Sequence, residues 1–218
     1  MDDYQFEITW LGHAAFKIKT FSGRIIYLDP YQLKDEEEKA DIIVSTHDHG
    51  DHFSRRDIKK IATEDTVVLG PESIASNLQK FNGQSLKLGD SFDYKDLSIE
   101  LMPAYNIKKA NHPKGNEWAG IIVRSGDKSI YHAGDTERIP EMKDLANQNI
   151  TVAMIPCGGT YTMDFNEAAD STVDVKPDIV VPMHNWGKDL NEFKEIMEKK
   201  DPNIKVEILE ENGKPIQI

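Results

Sequence analysis

Cysteine is nearly absent: Cys157 is the only one in 218 residues. A lone thiol excludes an intramolecular disulfide framework and fits a reducing compartment, so Cys157 is read as a small buried residue. Long apolar runs are missing too, and none approaches membrane-spanning length. Asp2 and Asp3 lead straight into an alternating pattern, not into a basic segment followed by an apolar core. A soluble, cytoplasmic protein is expected. Basic charge is scarce: 26 Lys and Arg stand against 38 Asp and Glu, a formal net charge of -12. The basic clusters Arg55-Arg56 with Lys59-Lys60 and Lys108-Lys109 are short and lie among acids, as solvated faces do. Such a surface repels polyanions, which sets nucleic acid aside as a partner. No low-complexity linker divides the chain, and 39% hydrophobic content suits one domain over 1–218.

What is present is patterned. Phe6, Ile8 and Trp10 alternate with polar neighbours, as do Phe16 and Ile18, which predicts two strands joined at Leu11-Gly12-His13. Arg24 to Asp29 reads as a third strand, and the continuous β-branched run Asp41 to Thr46 as one buried on both faces. Ser54 with Asp57 has a capping-box form, and Ile58 and Ile61 follow at helical spacing. Further along, the pattern predicts a strand at 66–69, a helix from Pro71 to about Lys80 and two or three antiparallel strands over 85–103. A hairpin of 118–124 with 128–132 and a buried strand at 151–156 follow. A helix from Asn166 to about Thr172, a strand at 178–183, an amphipathic helix at 190–199 and a last strand at 204–209 complete the reading. Strands alternating with helices around a β core indicate an α/β or α+β layered domain. Residues 41–47 also echo residues 178–184, each segment following a strand that ends in an Asp, Asp29 or Asp135. The echo fits either two related halves or the common composition of buried strands.

The chemistry concentrates in His47-Asp48-His49-Gly50-Asp51-His52. Imidazole and carboxylate are the ligands that Zn²⁺, Mn²⁺ or Fe²⁺ accept, and a buried strand followed by a helix gives the loop a rigid mounting. Alternate residues of an extended segment project to one side, so His47 and His49 can grip one ion while Asp51 and His52 turn toward a second. Asp29 at a neighbouring strand end is placed to accept the second ring N–H of a ligating His, the usual support for such a ligand. His13 reads either as a turn residue or as a group that contacts substrate and donates a proton. Read from the residues alone, Asp135 fits a turn or cap as well as a ligand, and His184 fits a strand-end histidine.

Trp10-Leu11-Gly12-His13, Leu28-Asp29-Pro30, Ser45 to His52, Gly134-Asp135-Thr136 and Pro182-Met183-His184, in this order, resemble the metallo-β-lactamase superfamily. The likeness is to the branch that includes ascorbate-6-phosphate lactonase and the phospholipase D acting on N-acyl phosphatidylethanolamine. The resemblance implies an αββα sandwich with the site at one edge. It further implies His47 and His49 on one ion, Asp51, His52 and His184 on the other, and Asp135 bridging. The chain departs from the family pattern at the third ligand of the first ion. A His is expected shortly after Pro103-Ala104, where Asn106 stands, a poor zinc ligand, and His112 lies six residues further on. His112 is assigned to that site, with Asn106 as the alternative.

The expected chemistry is hydrolysis by a water that two divalent ions, zinc foremost, activate to hydroxide at neutral pH. A small ester, lactone or similar molecule is the expected substrate, with small or lipid-linked phosphodiesters as the enzymatic alternative and a metal-binding, non-catalytic protein as the third reading. Fold alone does not select among them, and no sequence feature fixes the oligomeric state.

Overall fold

The computed structural model describes residues 5–218. Asp2 and Asp3 lie outside them. The strands fall into two seven-stranded sheets. The first holds β1 (Phe6–Gly12), β2 (Ala15–Thr20), β3 (Ile25–Leu28), β4 (Ile42–Val44), β5 (Val67–Pro71) and β6 (Gln84–Leu86). The second holds β7 (Ser91–Tyr94), β8 (Leu97–Pro103), β9 (Ala119–Ser125), β10 (Lys128–His132), β11 (Val152–Pro156), β12 (Ile179–Met183) and β13 (Lys205–Val206). A short β14 (Ile216–Gln217) returns to pair with β1 in the first sheet. In each sheet antiparallel hairpins give way to parallel strands, from β3 to β6 in one and from β10 to β13 in the other.

Period-two alternation decides what each face buries. Ile8, Phe16, Ile18, Ile26, Ile42 and Val44 turn inward against Ile99, Leu101, Ile121, Val123, Val152 and Val181, forming the core between the sheets. The alternate residues point outward: Tyr27 and Ile43 pack with Ile58 and Ile61 of α1 (Arg55–Ile61) and with Leu78 of α2 (Ala75–Leu78). On the other side Tyr131, Ala153 and Val180 pack with Ala168 and Val175 of α3 (Phe165–Val175) and with Phe193 and Met197 of α4 (Leu190–Lys200). Helices thus cover both outer faces of two stacked sheets, the αββα sandwich that the motifs implied.

Several local expectations change. The stretch 71–80 is not one helix: β5 runs through Pro71, which pairs with Leu86 of the edge strand β6, and only short helical turns follow over 72–81. β5 is an inner strand, but Pro71 is its last residue and lies beyond the end of its pairing with β4 at Leu69, where a proline that lacks the ladder donor is tolerated. Within 85–103 the first strand joins the first sheet in parallel, and only β7 and β8 form an antiparallel pair. The last predicted strand shrinks to Lys205–Val206. The repeated segments are not topological counterparts either. β4 lies beside the strand that ends at Asp29, whereas β12 lies one strand removed from β10, which leads to Asp135.

Candidate metal centre

The residues singled out by the motifs come together where the strands end, in the turn after β1 and in the loops after β3, β4, β8, β10 and β12. Several hold strained backbone: φ is positive at His13 (51°), Asp29 (45°), His112 (57°) and His184 (51°). Non-glycine residues in this region cost free energy and persist where the surroundings force them, commonly at functional sites.

Asp29 organises the first half. It is fully buried; its Oδ1 accepts the Thr46 amide at 2.7 Å, and its Oδ2 accepts the Thr46 hydroxyl at 2.7 Å and faces His52 Nδ1 at 2.6 Å. Because the Thr46 proton goes to a carboxylate, which only accepts, the hydroxyl must accept in turn from His47 Nδ1, 2.9 Å away. Both histidines are therefore held with Nδ1 protonated and Nε2 aimed elsewhere. Asp29 thus contacts His52 directly and reaches His47 through Thr46, a link the sequence reading missed.

Asp135 sits between the halves. His112 Nε2 and His184 Nε2 lie 3.3 and 3.2 Å from its Oδ2, and His52 Nε2 lies 3.5 Å from its Oδ1. His47, His49 and His112 form one group of converging ligand atoms, and His47, His52 and Asp135 a second. His13, His52 and His184 form a third, with all such atoms within 4.8 Å of one another in each group. His47 Nε2 approaches His49 Nδ1 to 3.0 Å. Asp51 belongs to none of the three groups. Its Oδ2 pairs with His13 Nε2 at 3.1 Å, so here His13 takes the place beside His52 and His184 that was expected of Asp51.

The electrostatics favour a cation. Burial, reinforced by neighbouring His52, holds the His47 imidazole well below its ordinary pKa and keeps it neutral, the form that ligates. Burial also depresses His112. For His52 burial acts in the same direction, but the carboxylates of Asp135 and Asp29 outweigh it and hold the ring well above its usual value. Burial would raise Asp135, yet His52 and His184 keep it well below the carboxylate range. The hydrogen bond from His13, working against burial, likewise lowers Asp51. Despite these approaches, His52 Nε2, His112 Nε2, Asp135 Oδ1 and His184 Nδ1 are buried without a hydrogen-bond partner. Buried polar atoms are rarely left so, and a set of imidazole nitrogens and a carboxylate oxygen is the donor set of a divalent ion.

Asn106 and His112 take different places in the loop between β8 and β9. The Asn106 amide nitrogen donates to the carbonyls of Asn111 and Tyr161, each at 2.7 Å, and the Asn106 N–H donates to the His112 carbonyl at 2.7 Å. Asn106 braces the loop, and His112 is the residue grouped with His47 and His49. Glu137 completes the bracing: its Oε2 accepts the amides of Ile107 (2.7 Å) and Lys108 (2.6 Å), and its Oε1 accepts the Lys109 amine at 2.9 Å. Nothing in the spacing from Asn106 to His112 announced this arrangement. His132 is a packed strand histidine that ties two site loops together: it bonds to the Ala14 carbonyl at 2.8 Å and accepts from the Gly134 amide at 3.2 Å. Trp118 and Trp186, neither of them singled out in the sequence, line the two sides. Trp118 lies 4.6 Å from the His47 ring and Trp186 5.7 Å from the His184 ring.

The beta-lactamase superfamily domain matches residues 7–184 of the chain. The chain belongs to the metallo-β-lactamase superfamily. It is 35% identical over 190 residues to a UPF0173 protein of Pyrococcus abyssi, covering 82% of each chain. It is 30% identical over 224 residues to the UPF0173 metal-dependent hydrolase of Methanopyrus kandleri, covering 93% of this chain and 96% of that one. Among solved structures, Igni18, a novel metallo hydrolase from the hyperthermophilic archaeon Ignicoccus hospitalis, superposes with a TM-score of 0.81 at 27% identity over 98% of both chains. Among the described residues no helix is long and apolar enough to cross a membrane.

Proposed function

We propose that this single-domain protein is a dinuclear metal-dependent hydrolase of small esters, lactones or similar substrates. The observation that carries the reading is the set of four buried ligand atoms without partners, on His52, His112, Asp135 and His184. Metal-dependent hydrolysis is also what the name of the Methanopyrus kandleri relative states. His47, His49 and His112 would hold one ion; His52 and His184, with Asp51 or His13, would hold the other, and Asp135 lies between them. Zinc is the best match for this mixture of imidazole and carboxylate, and manganese or iron would also fit it. Divalent ions so placed lower the pKa of water toward neutrality and polarise a carbonyl or phosphoryl oxygen.

The remaining work falls to the chain. Asp29 and Thr46 fix the tautomers of His52 and His47, so that both present Nε2 without a search over ring orientations. Asp51 Oδ2 lies 3.1 Å from His13 Nε2 and orients that ring at the half-buried mouth of the site, beside the position of a departing oxygen. The burial of Cys157 pushes its thiol up to about 12, which removes it as a nucleophile. That thiol and the absence of a disulfide partner suit the cytoplasm.

The test is metal content by elemental analysis of wild type and His112→Ala, with ester, lactone and phosphodiester hydrolysis assayed alongside. The expected result is loss of part of the bound metal in the variant and metal-dependent turnover of esters or lactones by wild type. Turnover confined to phosphodiesters would replace the substrate class. Absence of bound metal after reconstitution would overturn the hydrolase reading.

A further inference from the structure

Four large apolar side chains are exposed among the described residues, and two of them, Trp186 at 57% and Tyr161 at 40%, stand beside the metal centre. Isolated exposed apolar residues are common and need no explanation. Trp186 differs in how firmly it is placed. The chain leaves β12 through His184, Trp186 and Gly187 in left-handed conformations, with φ of 51°, 52° and 73°. This backbone brings the indole to 5.7 Å from the His184 ring, 5.8 Å from His13 and 5.8 Å from Tyr161.

Gly158 makes the placement possible. A Cβ at that position would overlap Trp186 Cδ1 and come within 2.5 Å of the His184 carbonyl oxygen, so only glycine admits the indole there. Tyr161 is anchored from the other side, since its carbonyl accepts the Asn106 amide at 2.7 Å, the bond that also braces the His112 loop. Left-handed backbone at a bulky residue is unfavourable, and it is spent here on keeping an aromatic face in water instead of burying it. A wholly polar substrate would gain nothing from such a face. A flat apolar group attached to the reacting centre would be covered by it.

We infer that Trp186 and Tyr161 form a subsite for the apolar, preferably aromatic, portion of the substrate, seated next to the His13 and His184 side of the centre. The inference rests on the hydrolase reading and narrows its substrates to esters or lactones with a ring or short hydrocarbon group within a few ångströms of the scissile bond. Trp186 is then a specificity-determining residue that sorts substrates by their apolar part.

The subsite is tested without turnover, on zinc-loaded protein, by calorimetric titration with benzylphosphonate and with methylphosphonate. The two ligands share an anionic head and differ in the ring. Wild type is expected to bind the benzyl compound about tenfold more tightly, equivalent to about 1.4 kcal/mol, as an added aromatic contact allows. Trp186→Ala should bring the two affinities together and Trp186→Phe should restore most of the difference, while the zinc content of both variants stays at the wild-type level. Equal affinities in wild type that retains zinc, or an undiminished preference in Trp186→Ala, would overturn the subsite and leave the metal centre standing. Failure to retain zinc, with neither ligand bound, would overturn both.

Discussion

Glu137 touches none of the candidate metal ligands, yet replacing it should remove metal from one side of the site. Its side chain is 1% exposed and receives three donors: the amides of Ile107 and Lys108, at 2.7 and 2.6 Å, and the Lys109 amine at 2.9 Å. Burial alone would raise this carboxyl, but the Lys108 amide, the Lys109 amine and the Ile107 amide together hold it below its ordinary value. In Glu137→Gln one amide oxygen can still meet the two backbone donors, while the new NH₂ faces the Lys109 ammonium. One charge-assisted bond is lost and the others weaken, a cost of about 1–3 kcal/mol. For a chain of this length that corresponds to a fall in Tm of roughly 2–12 °C. Because these bonds pin the base of the loop that carries His112, the variant should lose the ion proposed for His47, His49 and His112 and keep the other proposed ion. Elemental analysis reads the first effect, and hydrogen exchange at 107–112 reads the loosened loop. Lys109→Met is the control: the amine is partly exposed, so its loss should cost at most about 1 kcal/mol and leave metal content intact. A Glu137→Gln protein with full metal content and unchanged exchange in this loop would refute the reasoning.

Two further outcomes follow from the same geometry. Asp29→Asn should weaken metal binding by about 10–100-fold, the usual effect of removing the partner that orients a ligating His, because the new NH₂ must face a donor in either orientation, the Thr46 amide on one side or the Thr46 hydroxyl and His52 on the other; competition with a chelator measures it, and unchanged affinity would remove Asp29 from its supporting role. Cys157, with its thiol pushed up to about 12 by burial, should resist iodoacetamide in the native protein at about pH 8.5 and react once the chain is unfolded; rapid native alkylation would contradict its burial.

Much of the fold was legible because one-sided burial writes itself into sequence. The alternation in Phe6-Ile8-Trp10 and Phe16-Ile18 gave β1 and β2, and the β-branched run 42–44, buried on both faces, gave β4. Ser54 caps α1 as its spacing with Asp57 predicted, its side chain accepting from the Asp57 amide. What escaped lacks a local signal. β14 is two residues long and exists only through its register with Glu7 and Ile8. The stretch 71–81 carries Ile74, Leu78 and Phe81 at helical spacing, but Pro71 is drawn into the sheet by Leu86, a partner that helical spacing says nothing about. The metal-ligating pattern over 47–52 was explicit, whereas His112 reaches its place through a loop whose fold depends on Glu137, some thirty residues further along the chain. Exposed Trp186 carried no pattern at all, although its neighbour two residues back, His184, had already been singled out.

The arrangement of ligands explains why a chain with this much negative charge can concentrate so many histidines at one edge. His47, His49 and His52 are delivered by the first sheet, Asp135 and His184 by the second, and His112 by a loop that leaves the second sheet. The candidate ligands come from both sheets, and the apolar core between the sheets holds them together. Once it has formed, Asp135 is trapped among imidazoles and Asp29 against His52, so two carboxylates are buried where only positive charge can compensate them. The carboxylates of Asp135 and Asp29 hold the His52 ring well above its usual value, against the effect of its burial. A divalent ion would supply positive charge there and partners for the buried atoms on His52, His112, Asp135 and His184 that otherwise have none. An ion bound there would compete with protons for these imidazoles, so affinity for the ion, pH and folding stability would be linked through the residues that the sequence motif first brought to notice.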